Sequence, residues 1–160
     1  MAQKTYVDAT AVIIGDVKIA DGVSIWPFAV LRGDEGPVVI GEGSNVQDHV
    51  IVHVGTIGRN VTIGHAAIVN NATVGDNCII GMNSSILEHA QIGDECIVGA
   101  NAVVTAGTVV PLRSVIVGVP GRVIRSDDRT ILERASASAE TYHRLRDEHL
   151  AGRYKRRTVP

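Results

Sequence analysis

A chain of 160 residues with 45 % hydrophobic but only 3 % aromatic content suits one domain whose core is built from small aliphatic side chains. A net charge of −2 gives no reason to expect nucleic acid or an anionic membrane as a partner. Met1 to Tyr6 holds no apolar signal core, and no apolar run approaches the roughly 20 residues that cross a bilayer. A soluble, cytoplasmic protein without a membrane span is therefore expected.

Taken in order, the chain soon becomes periodic. Ile19, Ile25 and Leu31 recur at intervals of six, with Val23 and Ala29 at a second, smaller position. Gly33 to Pro37 breaks the period with a polar turn that is predicted to bulge. The period resumes at Ile40, Val46 and Val52, and two steps are read as short by one, Val52 to Ile57 and Ile63 to Ile68. From Val74 it is strict: Val74, Ile80, Ile86, Ile92, Val98 and Val104, each followed four residues on by Cys78, Ser84, Ala90, Cys96, Ala102 or Thr108. A period of six fits neither the 3.6 of a helix nor the two of a half-buried strand. It fits triangular coils of three hexads, with short parallel strands for sides and the aliphatic residues stacked inside. Cys78 and Cys96 should then lie one above the other, roughly 5 Å apart between backbones, as reduced core fillers.

The period ends at Pro111, and Gly118-Val119-Pro120-Gly121 reads as the closing turn. Asp127 to Leu150 reads as a helix, with Ser126 as its cap, Asp127 and Asp128 at its positive end and Gly152 as its stop. Ile131, Ala135, Ala139, Tyr142 and Leu145 give it one modest apolar face, which Ser136 to Ser138 could interrupt. The expected layout is a parallel β-helix over 1–125, a helix over 126–152 packed on it, and a solvated basic tail over 153–160.

The interior of such a prism is too narrow and apolar for chemistry, so a site must lie on its faces, edges or interfaces. His143 and His149 read as surface or packing residues of the helix, whereas His49, His53, His65 and His89 lie on the coils. His53 follows inward-facing Val52, and its neighbour on the next coil is Asn70. His65 belongs to a different edge and cannot share a small metal site with His53 inside one subunit. Three prisms about a threefold axis would bring the His53/Asn70 edge of one to the His65 edge of the next.

At this point the residues resemble a known family, the gamma-class carbonic anhydrases. The resemblance rests on Arg32-Gly33-Asp34-Glu35-Gly36, Ser44-Asn45-Val46-Gln47-Asp48, Val52-His53, Ile63-Gly64-His65 and Ile80-Gly81-Met82, and covers nearly the whole chain. It implies a homotrimer of left-handed β-helices that holds zinc, iron or cobalt with three histidines at each subunit interface. It also implies lyase (carbonate dehydratase) activity, a metal-held hydroxide attacking CO2. Carried over by position, His53 and His65 are two ligands, Asn45 and Gln47 orient the metal-bound water or substrate, and Glu35 is a proton-shuttle carboxylate. Arg32, Asp34 and Asp48 fall in the interface ion-pair network. The third histidine is replaced by Asn70, whose amide oxygen binds zinc more weakly than an imidazole nitrogen, and the acidic loop after the first ligand is cut to Val54 to Thr56. Three outcomes stay open: a weakened His/His/Asn site, a ligand recruited from His49, Glu88 or His89, or no metal function. Two further readings stand beside the lyase. One is a hydrolase or acyltransferase of CoA thioesters, with His65 or His89 as base and the shared closure Gly118 to Arg122. The other is a non-catalytic trimeric subunit.

Overall fold

The computed structural model describes residues 4–157, so the ends of the expected β-helix and basic tail, 1–3 and 158–160, lie outside the described residues. The hexad coils form a prism of parallel strands. Its first face stacks Tyr6–Val7, Ser24–Ile25, Asn45–Val46, Thr62–Ile63, Ile79–Ile80, Ile97–Val98 and Val115–Val117. Four long strands, Val12–Ile19, Val30–Ile40, Ile51–Ile57 and Ile68–Val74, each run through the second face and around an edge into the third. Lower down the two faces separate into Ser85–Ile86 and Val103–Val104 on the second, Gln91–Ile92 and Val109–Val110 on the third.

Inward residues stack in columns, Ile25, Val46, Ile63, Ile80, Val98 and Ile116 on the first face, and Leu31, Val52, Val69, Ile86 and Val104 on the second. Every one is buried, and the small hexad positions, Cys78, Ala90, Cys96 and Ala102 among them, fill the space between. Cys78 and Cys96 are free and stacked as expected, the Cys96 amide lying 3.4 Å from the Cys78 sulfur. Each edge turns through a left-handed residue, which explains the asparagines at 60, 77, 83 and 101 (φ 52 to 58°). Val54 takes the same conformation (φ 55°), strained for a β-branched residue. Gly55 after it, at φ 131°, is in a region that only glycine occupies freely.

The spacing of first-face rungs locates every irregularity. Rungs starting at 6, 24, 45, 62, 79, 97 and 115 are separated by 18, 21, 17, 17, 18 and 18 residues. The long coil contains the predicted polar bulge. Of the two short steps, Val52 to Ile57 is as expected, but the second runs from Val69 to Val74 and not from Ile63 to Ile68. Val69 is fully buried and Ile68 is 37 % exposed. The two short steps pair with each other, so the coils stay in register only if both shorten at one edge.

The helix also differs from expectation. It spans Ile131–Leu150, and Ser126 does not cap it. The chain after the prism doubles back as Arg122–Arg125, antiparallel to Val115–Val117, and Asp127 is left-handed (φ 52°), so neither segment can be helical. Asp128 accepts hydrogen bonds from the Thr130 amide (3.0 Å) and hydroxyl (2.6 Å), and this turn launches the helix. Gly152 (φ 72°) stops it as expected, and Ser136 to Ser138 do not interrupt it. The helix covers the first face, burying Ile131, Ala135 and Ala139. Polar anchors complete the seat: the Ser138 and Thr62 hydroxyls are 2.9 Å apart, His143 Nε2 donates to the Gly43 carbonyl (2.8 Å), and buried Arg146 donates to the Gly22 carbonyl (2.6 Å). Tyr142 meets Trp26 edge-on, and His149 packs among Tyr6, Trp26 and Tyr154. Arg153 and Arg156 pair with Glu148 and Asp8, while every described residue of the basic tail stays exposed. No helix among the described residues is long and apolar enough to cross a membrane.

Val69→Ala is expected to cost about 2 kcal/mol, two buried methyl groups at about 0.8 kcal/mol each plus a cavity contribution, and Ile68→Ala much less; urea unfolding of both variants checks the register. Hydrogen bonds from Thr130 and Arg125 lower the Asp128 carboxyl to about 2. Its stabilising effect is therefore present above the ordinary aspartate pKa and is lost as pH falls through about 2. In a carboxyl-carbon NMR titration, Thr130→Ala should move the Asp128 midpoint upward.

Candidate metal centre

The edge between the second and third faces carries both the insertion and the deletions. Arg32 pairs with His53, and the next pair is Val38 with Gly55, so Gly33 to Pro37 find no partner on the coil below and stand out over His53. His53 in turn pairs with Asn70, as the spacing predicts. The resulting ladder is linked by side chains. His53 Nδ1 lies 3.1 Å from Asn70 Oδ1, and since that oxygen can only accept, Nδ1 carries the proton. The Asn70 amide donates on to Glu88 Oε1 at 3.4 Å.

The other nitrogen of His53 faces the bulge. Nε2 is closed off from solvent without a well-directed hydrogen bond, 3.3 Å from Asp34 Oδ1 and 3.6 Å from Glu35 Oε2. Asp34 is engaged elsewhere, both of its oxygens accepting from Arg32 Nη1 at 2.7 and 2.9 Å. That hydrogen-bonded guanidinium holds its carboxyl below the usual aspartate range. Glu35 is 74 % exposed, with His53 as its only charged contact among the described residues.

Asn45, Gln47, Asp48 and His65 belong to the edge between the first and second faces. Asp48 Oδ2 is 2.9 Å from His65 Nδ1, which directs His65 Nε2 away from the chain, and His65 is half exposed. Gln47 accepts from the His65 backbone amide (3.1 Å) and donates to Asn45 Oδ1 (3.1 Å). Asn45 donates to the Thr62 hydroxyl (2.9 Å), which reaches Ser138 on the helix. Asn45 is completely buried, and its link toward His65 runs through Gln47. Sequence reasoning missed Thr62 and Ser138; the signal was a polar outward column, Ser24, Asn45 and Thr62, where the second face carries Val30, Ile51 and Ile68.

Both imidazoles therefore share one feature of metal-binding histidines, an oxygen acceptor on Nδ1 that leaves Nε2 uncommitted, although His53 Nε2 is covered by the bulge. Within one chain the donors are too few, and among the described residues no three His, Cys, Asp or Glu side chains are placed to hold a metal ion. His53 Nε2, without a well-directed hydrogen bond, faces the Asp34 and Glu35 carboxylates, a setting whose donors would fit a divalent cation. Of the alternative ligands, Glu88 joins the ladder through Asn70, His49 stacks on Phe28, and exposed His89 borders a separate groove of about 330 Å³ running from Pro37 to Gln91.

Comparison with known proteins supplies the family. Residues 71–106 match the bacterial transferase hexapeptide family (six repeats). A probable carbonic anhydrase of Methanocaldococcus jannaschii is 44 % identical over 140 residues, covering 84 % of this chain and 88 % of that protein. The chain belongs to the gamma carbonic anhydrase-like family of hexapeptide-repeat proteins. Mitochondrial gamma carbonic anhydrase 1 of Arabidopsis thaliana is 37 % identical over 93 % of this chain, and the alignment spans 58 % of that relative. Among solved structures, a hexapeptide transferase family protein from Anaplasma phagocytophilum superposes with a TM-score of 0.79 at 34 % identity, covering 89 % of this chain and 91 % of that one. The stacked coils and C-terminal helix are thus the fold of this gamma carbonic anhydrase-like family.

Asn45→Ala leaves the buried Gln47 side-chain NH2 without its acceptor and removes one donor to the Thr62 hydroxyl, which keeps Ser138. A loss of about 1–3 kcal/mol is expected, with His65 loosened; thermal unfolding and the His65 backbone amide resonance test it.

Proposed function

We propose that this protein is a homotrimeric carbonic-anhydrase-type lyase acting on CO2 and bicarbonate at a metal site shared between subunits, with His53 from one copy and His65 from its neighbour. The observation that carries this reading is the pair of histidines on separate edges, each with Nδ1 anchored by an oxygen acceptor, His53 Nε2 facing the carboxylates of the bulge and the His65 ring half exposed. A second observation supports the assembly. Between those edges, the outer side of the second face is a column of Val12, Val30, Ile51 and Ile68, three of them 37–44 % exposed. A continuous aliphatic stripe flanked by two half-sites is what a second copy of the same chain would cover.

A zinc, iron or cobalt ion at that site would supply Lewis acidity and make water acidic enough to ionise near neutral pH. The chain's own residues supply placement and exclusion of bulk water. Asp48 and Gln47 hold His65 by its ring and its backbone, and the helix backs Gln47 through Asn45 and Thr62. Arg32 and Asp34 brace the bulge beside His53. Glu35, at the rim, would serve either proton transfer to solvent or direct coordination, a reading supported by its 3.6 Å approach to His53 Nε2.

Acyl transfer is the second reading, favoured by the groove from Pro37 to Gln91 with His89 at its border. Against the groove stands the ring of His89, which no carboxylate among the described residues pairs with to orient it as a base.

Metal content and mass in solution test the proposal directly. The protein purified without chelator should be a trimer holding about one metal per chain. His53→Ala and His65→Ala should each lose the metal and more than about nine-tenths of CO2 hydration. Trimers reassembled from a mixture of the two variants should regain part of both, because some interfaces then combine an intact His53 with an intact His65. No recovery on mixing would mean that the two residues do not share an interface site. Ile68→Asp should give a folded monomer with neither property.

A further inference from the structure

We infer that the third protein donor to this site is the Glu35 carboxylate, and that Asn70 is an outer anchor that holds the His53 ring. The inference rests on the interface metal site proposed above. It departs from what position suggests, since Asn70 stands where a third histidine was expected.

Geometry separates the two candidates. Asn70 Oδ1 is bonded on the Nδ1 side of the His53 ring. The two ring nitrogens point to diverging sides, so an ion on Nε2 lies more than about 5 Å from that oxygen, against about 2.1 Å for coordination. The Asn70 amide nitrogen is turned the other way again, toward Glu88. Asn70 is thus committed twice, to the ring above and the carboxylate below, and does for His53 what Asp48 does for His65.

Glu35 lies on the other side of the ring. Two donors about 2.1 Å from one ion at the tetrahedral angle are about 3.4 Å apart, and Glu35 Oε2 is 3.6 Å from His53 Nε2. Asp34 is as near, at 3.3 Å, but Arg32 holds both its oxygens, and a guanidinium at 2.7 Å would repel a cation bound there. Glu35 has no such guanidinium on its oxygens among the described residues, and its exposed side chain has room to close the remaining gap. The bulge that projects it over His53 is the three-residue excess of the long coil. The donor set is then two imidazoles and one carboxylate, an arrangement that suits iron(II) and cobalt(II) as well as zinc.

The test uses cobalt(II) binding to the metal-free trimer, followed by calorimetry and by the visible d–d absorption. Glu35→Gln should weaken binding by more than about 100-fold and change the shape of the spectrum. Asn70→Ala should weaken it only about 10- to 100-fold, the usual effect of losing an outer partner, and leave the spectral shape unchanged. In the metal-free protein, Asn70→Ala should also abolish the Nδ1-protonated signature of His53 in a nitrogen-15 spectrum, which Glu35→Gln leaves intact. Mass in solution confirms that each variant remains a trimer. Unaltered binding and spectrum in Glu35→Gln overturns the inference, with Asn70→Ala or Asp34→Asn then revealing the true donor. If the wild-type trimer binds no cobalt, zinc or iron, the interface metal site itself falls, and the assignment of Glu35 with it.

Discussion

The register of the parallel coils at one edge of the prism is the constraint on which the rest of the structure depends. Backbone hydrogen bonds between coils tolerate no drift, because a slip of one residue would turn the inward aliphatic column to solvent. A coil can gain or lose residues only at an edge, and only if its neighbours accommodate the change. Here the gain of three and the two losses of one occur at the same edge. The gain lifts Asp34 and Glu35 over His53, and the losses place His53 directly above Asn70. Local cost accompanies this arrangement, in a left-handed valine at 54 and an unusual glycine at 55.

Rigidity at the other edge comes from the helix. It presses a short chain of buried polar groups against the first face, and each member of that chain has a partner: Ser138, Thr62, Asn45, Gln47 and the His65 amide. A buried polar chain of this kind is stable only when complete. The helix is therefore a structural support for a histidine that it does not touch. Its seat uses arginine, histidine and aromatic side chains as much as alanine and isoleucine, which is why a modest apolar stripe suffices to hold it.

The two histidines have different settings. His65 is open to solvent and charge-anchored by Asp48, whereas His53 is mostly buried and anchored by a neutral amide. The Asp48 carboxylate brings to His65 a negative charge that the Asn70 amide does not bring to His53. An extra anion near His53, from the bulge, compensates on that side. Such division of labour suits a site assembled from two identical chains, where each copy contributes a different edge to each of its neighbours.

Much of this was legible in the sequence. Hexad spacing alone gives stacked triangular coils, because no other regular structure buries one aliphatic side chain in six; it also gives the His53–Asn70 pairing and the separation of His65 from His53. Resemblance supplied the family and the roles to look for. Periodicity could not decide between Ile68 and Val69, since both are aliphatic and only pairing with the coils on either side selects the buried one. Nor could it show the return strand Arg122–Arg125, whose sequence is equally compatible with the start of a helix. The sequence by itself determined the fold and which histidines share an edge, because these follow from counting residues along a repeat. Only the tertiary structure decided what each imidazole nitrogen meets: Asn70 lies on the Nδ1 side of the His53 ring, and Asp34 and Glu35 lie on its Nε2 side. Those are matters of direction across coils, set by hydrogen bonds between residues 17 and 18 apart and by a bulge whose path spacing does not encode.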